Sequence, residues 1–194
     1  NILAALTVGA CVYLPENRRT NTILRAFHRE KCTVLNAVPT IFNAIISRKD
    51  LSNFDLSSMR TGIIGGAMYT PKQFRDIEST LGIKLLSSLG LTEATAGITI
   101  CNPDDDIQVR SATLGHFIDH MEGKIVDMRT GGRLPPGIIG EICIRGYSVM
   151  QGYYNDPENT ADAIRENGWL HTGDMGWIDD EGNLHFPGRI QEII

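Results

Sequence analysis

The feature that most constrains this chain is the alternation, through its first half, of short apolar runs with amphipathic segments. Residues 8–14 read as a strand, 21–31 as a helix, 33–38 as a strand and 40–49 as a helix with Pro39 before it. After a loop at 50–58 the unit repeats: a strand at 60–64, a Gly65-Gly66 break, a helix at 71–81 and a strand at 83–87. Such alternation implies parallel strands joined by helical crossovers, because a tight turn cannot connect parallel neighbours. The helix at 71–81 has the clearest start signal. Thr70 can cap it, Pro71 suits its first turn, and Gln73 completes a capping box.

From Asn102 the pattern changes to short alternating segments separated by Gly and Pro, which predicts antiparallel sheet. Strands are expected at 121–127 and 138–145 around the turn at 130–137, then a helix at 157–166, then Trp177-Ile178 and 184–186 flanking a turn at 179–183. The fold class is therefore α/β: a parallel sheet with crossover helices, followed by a small antiparallel β-barrel-like subdomain. Boundaries are expected at 1–110 for the first unit and 111–187 for the second, with 188–194 beginning a hinge.

Composition narrows the function classes. The 18 Lys and Arg against 23 Asp and Glu form no basic tract, which argues against nucleic acid. Cys11, Cys32, Cys101 and Cys143 stand far apart with no C-x-x-C pair, which argues against a zinc site or a disulfide framework and fits a reducing cytoplasm. The longest apolar run, 2–14, is broken by Thr7 and Gly9 and is too short to span a membrane; it reads as a buried strand with its approach helix. The scattered histidines form no nucleophile-elbow arrangement, and His171 reads as fixing the loop before Asp174 rather than as a base.

Ligands of open parallel sheets gather at the carboxyl ends of the strands. Two glycine-bearing loops leave strands there: Gly65-Gly66-Ala67 and Gly90-Leu91-Thr92-Glu93. Thr92 offers a hydroxyl to a phosphate oxygen, and Glu93 a hard oxygen ligand for magnesium. A tight turn in which Glu93 caps the next segment fits the same letters. A hairpin turning near Glu181 would set Asp174 almost opposite Arg189, where a carboxylate could bind both ribose hydroxyls; an ordinary surface ion pair is the alternative.

Taken in order, Gly90-Leu91-Thr92-Glu93-Ala94-Thr95, Gly140-Glu141-Ile142 with Arg145-Gly146, the run from Gly168 to Asp174 (GWLHTGD) and Gly188-Arg189-Ile190-Gln191-Glu192 resemble successive signatures of the adenylate-forming superfamily. Val38-Pro39-Thr40, Gly65-Gly66-Ala67 and Leu134-Pro135-Pro136-Gly137 add further landmarks, so the resemblance covers the chain end to end. The GWLHTGD form is similar to fatty-acyl-CoA and related acyl-CoA ligases.

The resemblance implies that a carboxylic acid and ATP give an acyl-adenylate and pyrophosphate, and that coenzyme A then displaces AMP. By the same resemblance Thr92 contacts phosphate, Glu93 binds Mg2+, Asp174 takes the ribose diol, and Arg189 takes the ribose or phosphate region. Gly65, Gly66, Ala67, Leu89, Gly90 and Leu91 complete the ATP/AMP surroundings. Two positions depart from the family pattern: Leu89 stands where an aromatic residue usually stacks on adenine, and Gln191 where the hinge usually has Asp or Lys. The family's lysine-bearing phosphate loop and its small C-terminal domain are not found in these 194 residues, so the chain is expected to be a segment, inactive alone. Surfaces that those parts cover could self-associate, which leaves a homo-oligomer open.

Overall fold

The computed structural model describes residues 2–17 and 19–189. It opens with α1 (Ile2–Thr7) and α2 (Thr20–Glu30), followed by β1 (Val34–Ala37), α3 (Pro39–Ile46), β2 (Thr61–Ile64), α4 (Pro71–Leu81) and β3 (Lys84–Ser87). The three strands form one parallel sheet in the order β1-β2-β3, with α3 and α4 as the connections between neighbours. Around it lies a core that includes Leu24, Phe27, Phe42, Ile64, Phe74, Ile77 and Leu85. Burying such side chains stabilises by about 1.5–3 kcal/mol each, before conformational entropy is charged against it.

The capping box at α4 forms as the sequence predicts. Gln73 N–H donates to Thr70 Oγ1 at 3.2 Å, and Thr70 N–H donates to Gln73 Oε1 at 2.8 Å. Pro39 lies inside the first turn of α3 rather than before it, where its missing N–H costs nothing.

The strand expected at 8–14 is not formed. Its approach helix α1 is present, but the segment after it pairs with no described strand. Leu3, Leu6, Val8 and Leu14 are all exposed, so apolar letters alone found no core to join.

Antiparallel pairing begins earlier than Asn102. The hairpin β4 (Gly90–Leu91) and β5 (Ala96–Gly97) is followed by β6 (Thr99–Ile100), the short helix α5 (Ile107–Ala112) and β7 (His116–Phe117), which pairs with β6. Next come β8 (Met121–Val126), β9 (Gly140–Gly146), α6 (Pro157–Ala163), β10 (Ile164–Arg165), β11 (Trp169–Ile178) and β12 (Leu184–Arg189). They build a curled antiparallel half-barrel in the order β10-β11-β9-β8, with β12 on β11. Helix α6 stops at Ala163, short of the expected 166, because the chain turns into β10 and pairs with the start of β11. Strand β11 runs back to Trp169, well before the expected Trp177. Its glycines weaken the strand signal, while pairing on both edges supplies the hydrogen bonds.

The second core holds Ala94, Ile98, Met121, Ile125, Ile142, Ile144, Leu170 and Leu184. Leu89 and Leu91 pack against it, so the chain leaving β3 is anchored on the half-barrel's core. No described helix is long and apolar enough to cross a membrane.

Candidate functional site

Three strand ends converge where the parallel sheet stops. A Cβ built on Gly65, just after β2, would stand 2.8 Å from Ser88 O, just after β3, so only glycine allows the two loops this approach. Tyr69 closes the loop that begins at Gly65: its hydroxyl donates to Ser87 Oγ at 2.5 Å, and Ser87 donates onward to Arg110 O at 2.5 Å. Burial pushes the Tyr69 phenol up to about 12, so it stays a neutral donor. Gly66 and Ala67 are exposed at this edge.

Beneath this edge, Arg110 is buried and bidentate on Glu78, at 2.6 and 3.0 Å, and donates to Leu85 O at 2.6 Å. One guanidinium thereby ties α4, β3 and α5 together.

The second loop lies at the junction of the two sheets. Ile98 N–H donates to Leu89 O at 2.8 Å, and Leu89 N–H donates to Thr99 Oγ1 at 3.2 Å. The Leu89 side chain, half-buried, packs against the second core. Thr92 and Glu93 then sit in a single 3-10 turn, Thr92–Ala94, with Thr92 exposed and Glu93 half-buried. Met150 N–H donates to Glu93 O at 2.7 Å, Thr95 Oγ1 donates to Ser148 O at 2.9 Å, and the Tyr153 hydroxyl donates to Glu93 Oε1 at 3.0 Å. That phenol is raised by its bond to Glu93, which favours the protonated donor.

Glu93 Oε2 has no hydrogen-bond partner among the described residues. A hard, half-buried carboxylate with one fixed and one open oxygen fits Mg2+, which commonly takes one or two carboxylates together with substrate phosphates. Tyr153 and Tyr69 could not be found from sequence, because each acts across a long loop or between sheets.

Asp174 owes its position to an irregularity in β11. The ladder with β9 runs through Leu170 and His171, slips, and resumes at Met175 and Gly176. Gly173, at φ +70°, takes the left-handed turn inside that slip, and Thr172 Oγ1 anchors it by donating to Ile142 O at 2.7 Å. Thr172 Oγ1 also accepts from Asp174 N–H at 3.1 Å. Bulges of this kind re-aim side chains. Asp174 is 4% exposed, and its Cα is paired with that of Arg189 on β12. The turn at 179–183 forms where expected, with Asp179 N–H donating to Asn183 O at 3.0 Å. Gln191 lies outside the described residues.

His171 holds the start of the bulge, with Nδ1 2.7 Å from Glu141 Oε2, in keeping with the anchoring role read from sequence. Trp169 packs under two cations, Lys124 at 4.2 Å and Arg145 at 4.8 Å from the ring centre, and so serves as a surface anchor.

Thus the Gly65–Ala67 loop meets the chain after β3, Glu93 is tied to the half-barrel, and Asp174 faces Arg189 in the β11–β12 ladder.

Comparison with known proteins gives a consistent result. The chain matches the family described as AMP-binding enzyme over residues 1–154. It is 40% identical to acyl-CoA ligase sidI of Aspergillus fumigatus over 199 residues, covering 100% of this chain and 34% of that protein. It is 38% identical to 4-coumarate–CoA ligase 1 of Solanum tuberosum over 197 residues, covering 100% of this chain and 36% of that protein. Among solved structures, the anthranilate CoA ligase AuaEII in complex with anthranoyl-AMP superposes with a TM-score of 0.86 at 26% identity, covering 95% of this chain and 35% of that one. The chain spans about a third of the length of the curated relatives it matches.

Proposed function

The chain belongs to the AMP-binding enzyme family, and on that premise we propose that it is the nucleotide-site segment of an ATP-dependent carboxylate–CoA ligase. The whole protein would join a carboxylic acid to the α-phosphate of ATP, releasing pyrophosphate, and then exchange AMP for coenzyme A to form the thioester. The observation that carries this reading is Asp174, buried at a bulge and register-paired with Arg189, on a strand whose Leu170 and Ile178 share an apolar core with Leu91 of the Gly90–Glu93 loop.

In this reading the carboxylate of Asp174 accepts from both ribose hydroxyls, and Arg189 holds the ribose or phosphate region. Thr92 donates to a phosphate oxygen. Glu93, fixed by Tyr153, holds Mg2+, which when bound neutralises phosphate charge. Gly65, Gly66, Ala67, Gly90 and Leu91 present backbone to the adenine side. Leu89 contributes packing rather than an aromatic face, since its side chain is committed to the core. The division at 1–110, 111–187 and 188–194 belongs to the same proposal, the last part beginning a hinge.

Fatty acids are the proposed acid class, following the GWLHTGD form. The 38% identity to a 4-coumarate–CoA ligase favours aryl acids as the second reading. Acid-dependent ATP–pyrophosphate exchange decides between them, run with magnesium on the full-length protein and on this segment, with fatty and aryl acids in parallel. Exchange with fatty acids by the full-length protein, and none by the segment, is the expected result. Exchange by neither would mark a non-catalytic nucleotide binder and overturn the proposal.

A further inference from the structure

His171 on β11 and Cys143 on β9 are Cα partners in an antiparallel ladder, so their side chains leave the same face of the sheet. Glu141 lies two residues along β9 and shares that face. His171 Nδ1 is 2.7 Å from Glu141 Oε2 and 3.4 Å from Cys143 Sγ, and the three donor atoms all lie within 4.8 Å of one another. Cys143 is fully buried, while His171 and Glu141 keep 12% and 13% of their side chains exposed.

The exposed side opens on a cavity of about 570 Å³, lined by Glu141, His171, Thr172 and Gly173, with Asp156 and Asp162 also on its wall. None of the three donors belongs to the proposed nucleotide site. Their spacing in sequence hides them, since strand pairing joins residues 28 and 30 positions apart.

We infer that Glu141, Cys143 and His171 form a zinc site with three protein ligands and one position open to the cavity. A thiolate, an imidazole and a carboxylate suit a borderline-soft cation, and none but the carboxylate suits magnesium. Zn–N and Zn–O bonds near 2.0–2.2 Å and a Zn–S bond near 2.3 Å put tetrahedral donor atoms about 3.3–3.6 Å apart. The His171–Cys143 separation already falls there; the His171–Glu141 pair opens by roughly 0.6–0.8 Å as its hydrogen bond gives way to coordination.

Gly173 N–H donates to Glu141 Oε1 at 3.2 Å, orienting the carboxylate so that Oε2 is the ligand. Metal on Nδ1 leaves the imidazole proton on Nε2. Without a cation, burial and then the charge of Glu141 push the Cys143 thiol up to about 12, so binding releases the thiol proton to solvent. The site would pin β9 to β11 three residues before Asp174.

The test uses the 194-residue chain, reduced and metal-free, with zinc or cobalt as the probe. One equivalent of zinc should survive gel filtration. Cobalt should give a thiolate charge-transfer band that zinc abolishes. Cys143→Ser should remove the band and His171→Gln should weaken zinc more than about 100-fold, beyond the cost of losing an outer partner. Cys32→Ser, at a thiol outside the cluster, should change neither. Failure of the unaltered chain to retain zinc overturns the inference whatever the variants do. A cobalt band that survives Cys143→Ser, or that Cys32→Ser abolishes, places the metal elsewhere and overturns it as well.

Discussion

Asp174 and Arg189 stand opposite each other in the β11–β12 ladder, with Asp174 buried beside a bulge that interrupts pairing to β9. A carboxylate presented this way can accept from a vicinal diol. Charge-assisted hydrogen bonds contribute about 1.5–3 kcal/mol each, or about 10- to 150-fold in affinity. Asp174→Ala should therefore weaken AMP binding by at least about tenfold in titration calorimetry. A 2′,3′-dideoxy analogue should bind the unaltered protein weakly and lose little more in the variant. Equal losses for both nucleotides would show that Asp174 acts through folding and not through the ribose.

Arg110 supports the same edge from below. Removing it leaves Glu78 partly buried and unpaired, and breaking a buried pair costs about 3–5 kcal/mol. Arg110→Met should lower urea-denaturation stability by that order. Arg110→Met combined with Glu78→Leu should recover part of the loss, because no charge is then stranded. A double variant no more stable than the single one would mean that the bonds from Arg110 to Leu85 O and Asp105 O, together with the Leu85 N–H bond to Glu78, carry the stability instead of the ion pair.

Sequence revealed most where the determinants are local. The capping box of α4 involves residues three apart, and the crossovers of β1-β2-β3 follow from periodicity. Asp174 and Arg189 could be matched because a recognisable turn at 179–183 sets the hairpin register. Residues 8–14 misled because apolar letters report a tendency to be buried and not the presence of a neighbour. The bond from Tyr153 to Glu93 spans 60 positions, and the Glu141, Cys143 and His171 cluster exists only once β9 and β11 pair. No periodicity encodes either.

Stability should fall on the acid side. Asp50 is held below the usual carboxylate range by Arg48, Glu122 by Arg145, Asp127 by the Thr130 backbone N–H, and Asp156 by Asn159. Because each folded pKa is depressed, the unfolded chain binds more protons at low pH. The contribution is complete above the unfolded value near 4 and is lost as pH drops through the folded values. Tm should be level from about pH 7 to about pH 5 and decline below about pH 4. Salt should blunt the share from Arg48–Asp50 and Arg145–Glu122 more than that from Asp127, which is lowered chiefly by the neutral N–H and hydroxyl of Thr130 and least by the charge of Arg129. A Tm that rises on acidification would contradict this account.

Tyr153 offers the most direct test of how the half-barrel prepares the loop after β3. Its hydroxyl fixes Glu93 Oε1, and the Met150 N–H bond to Glu93 O fixes the backbone of the same residue. With both in place the carboxylate needs little reordering to receive a cation, and preorganisation of this kind lowers the cost of binding. Tyr153→Phe removes only the side-chain bond. In the full-length protein it should raise the magnesium concentration needed for half-maximal ATP–pyrophosphate exchange by about three- to tenfold, the scale of one partly exposed hydrogen bond to a charge, while saturating magnesium restores the rate. Glu93→Gln should abolish exchange at every magnesium concentration without lowering Tm. If Tyr153→Phe instead lowered the rate at saturating magnesium and left the half-maximal concentration unchanged, Tyr153 would be acting on a later step and not on the cation ligand.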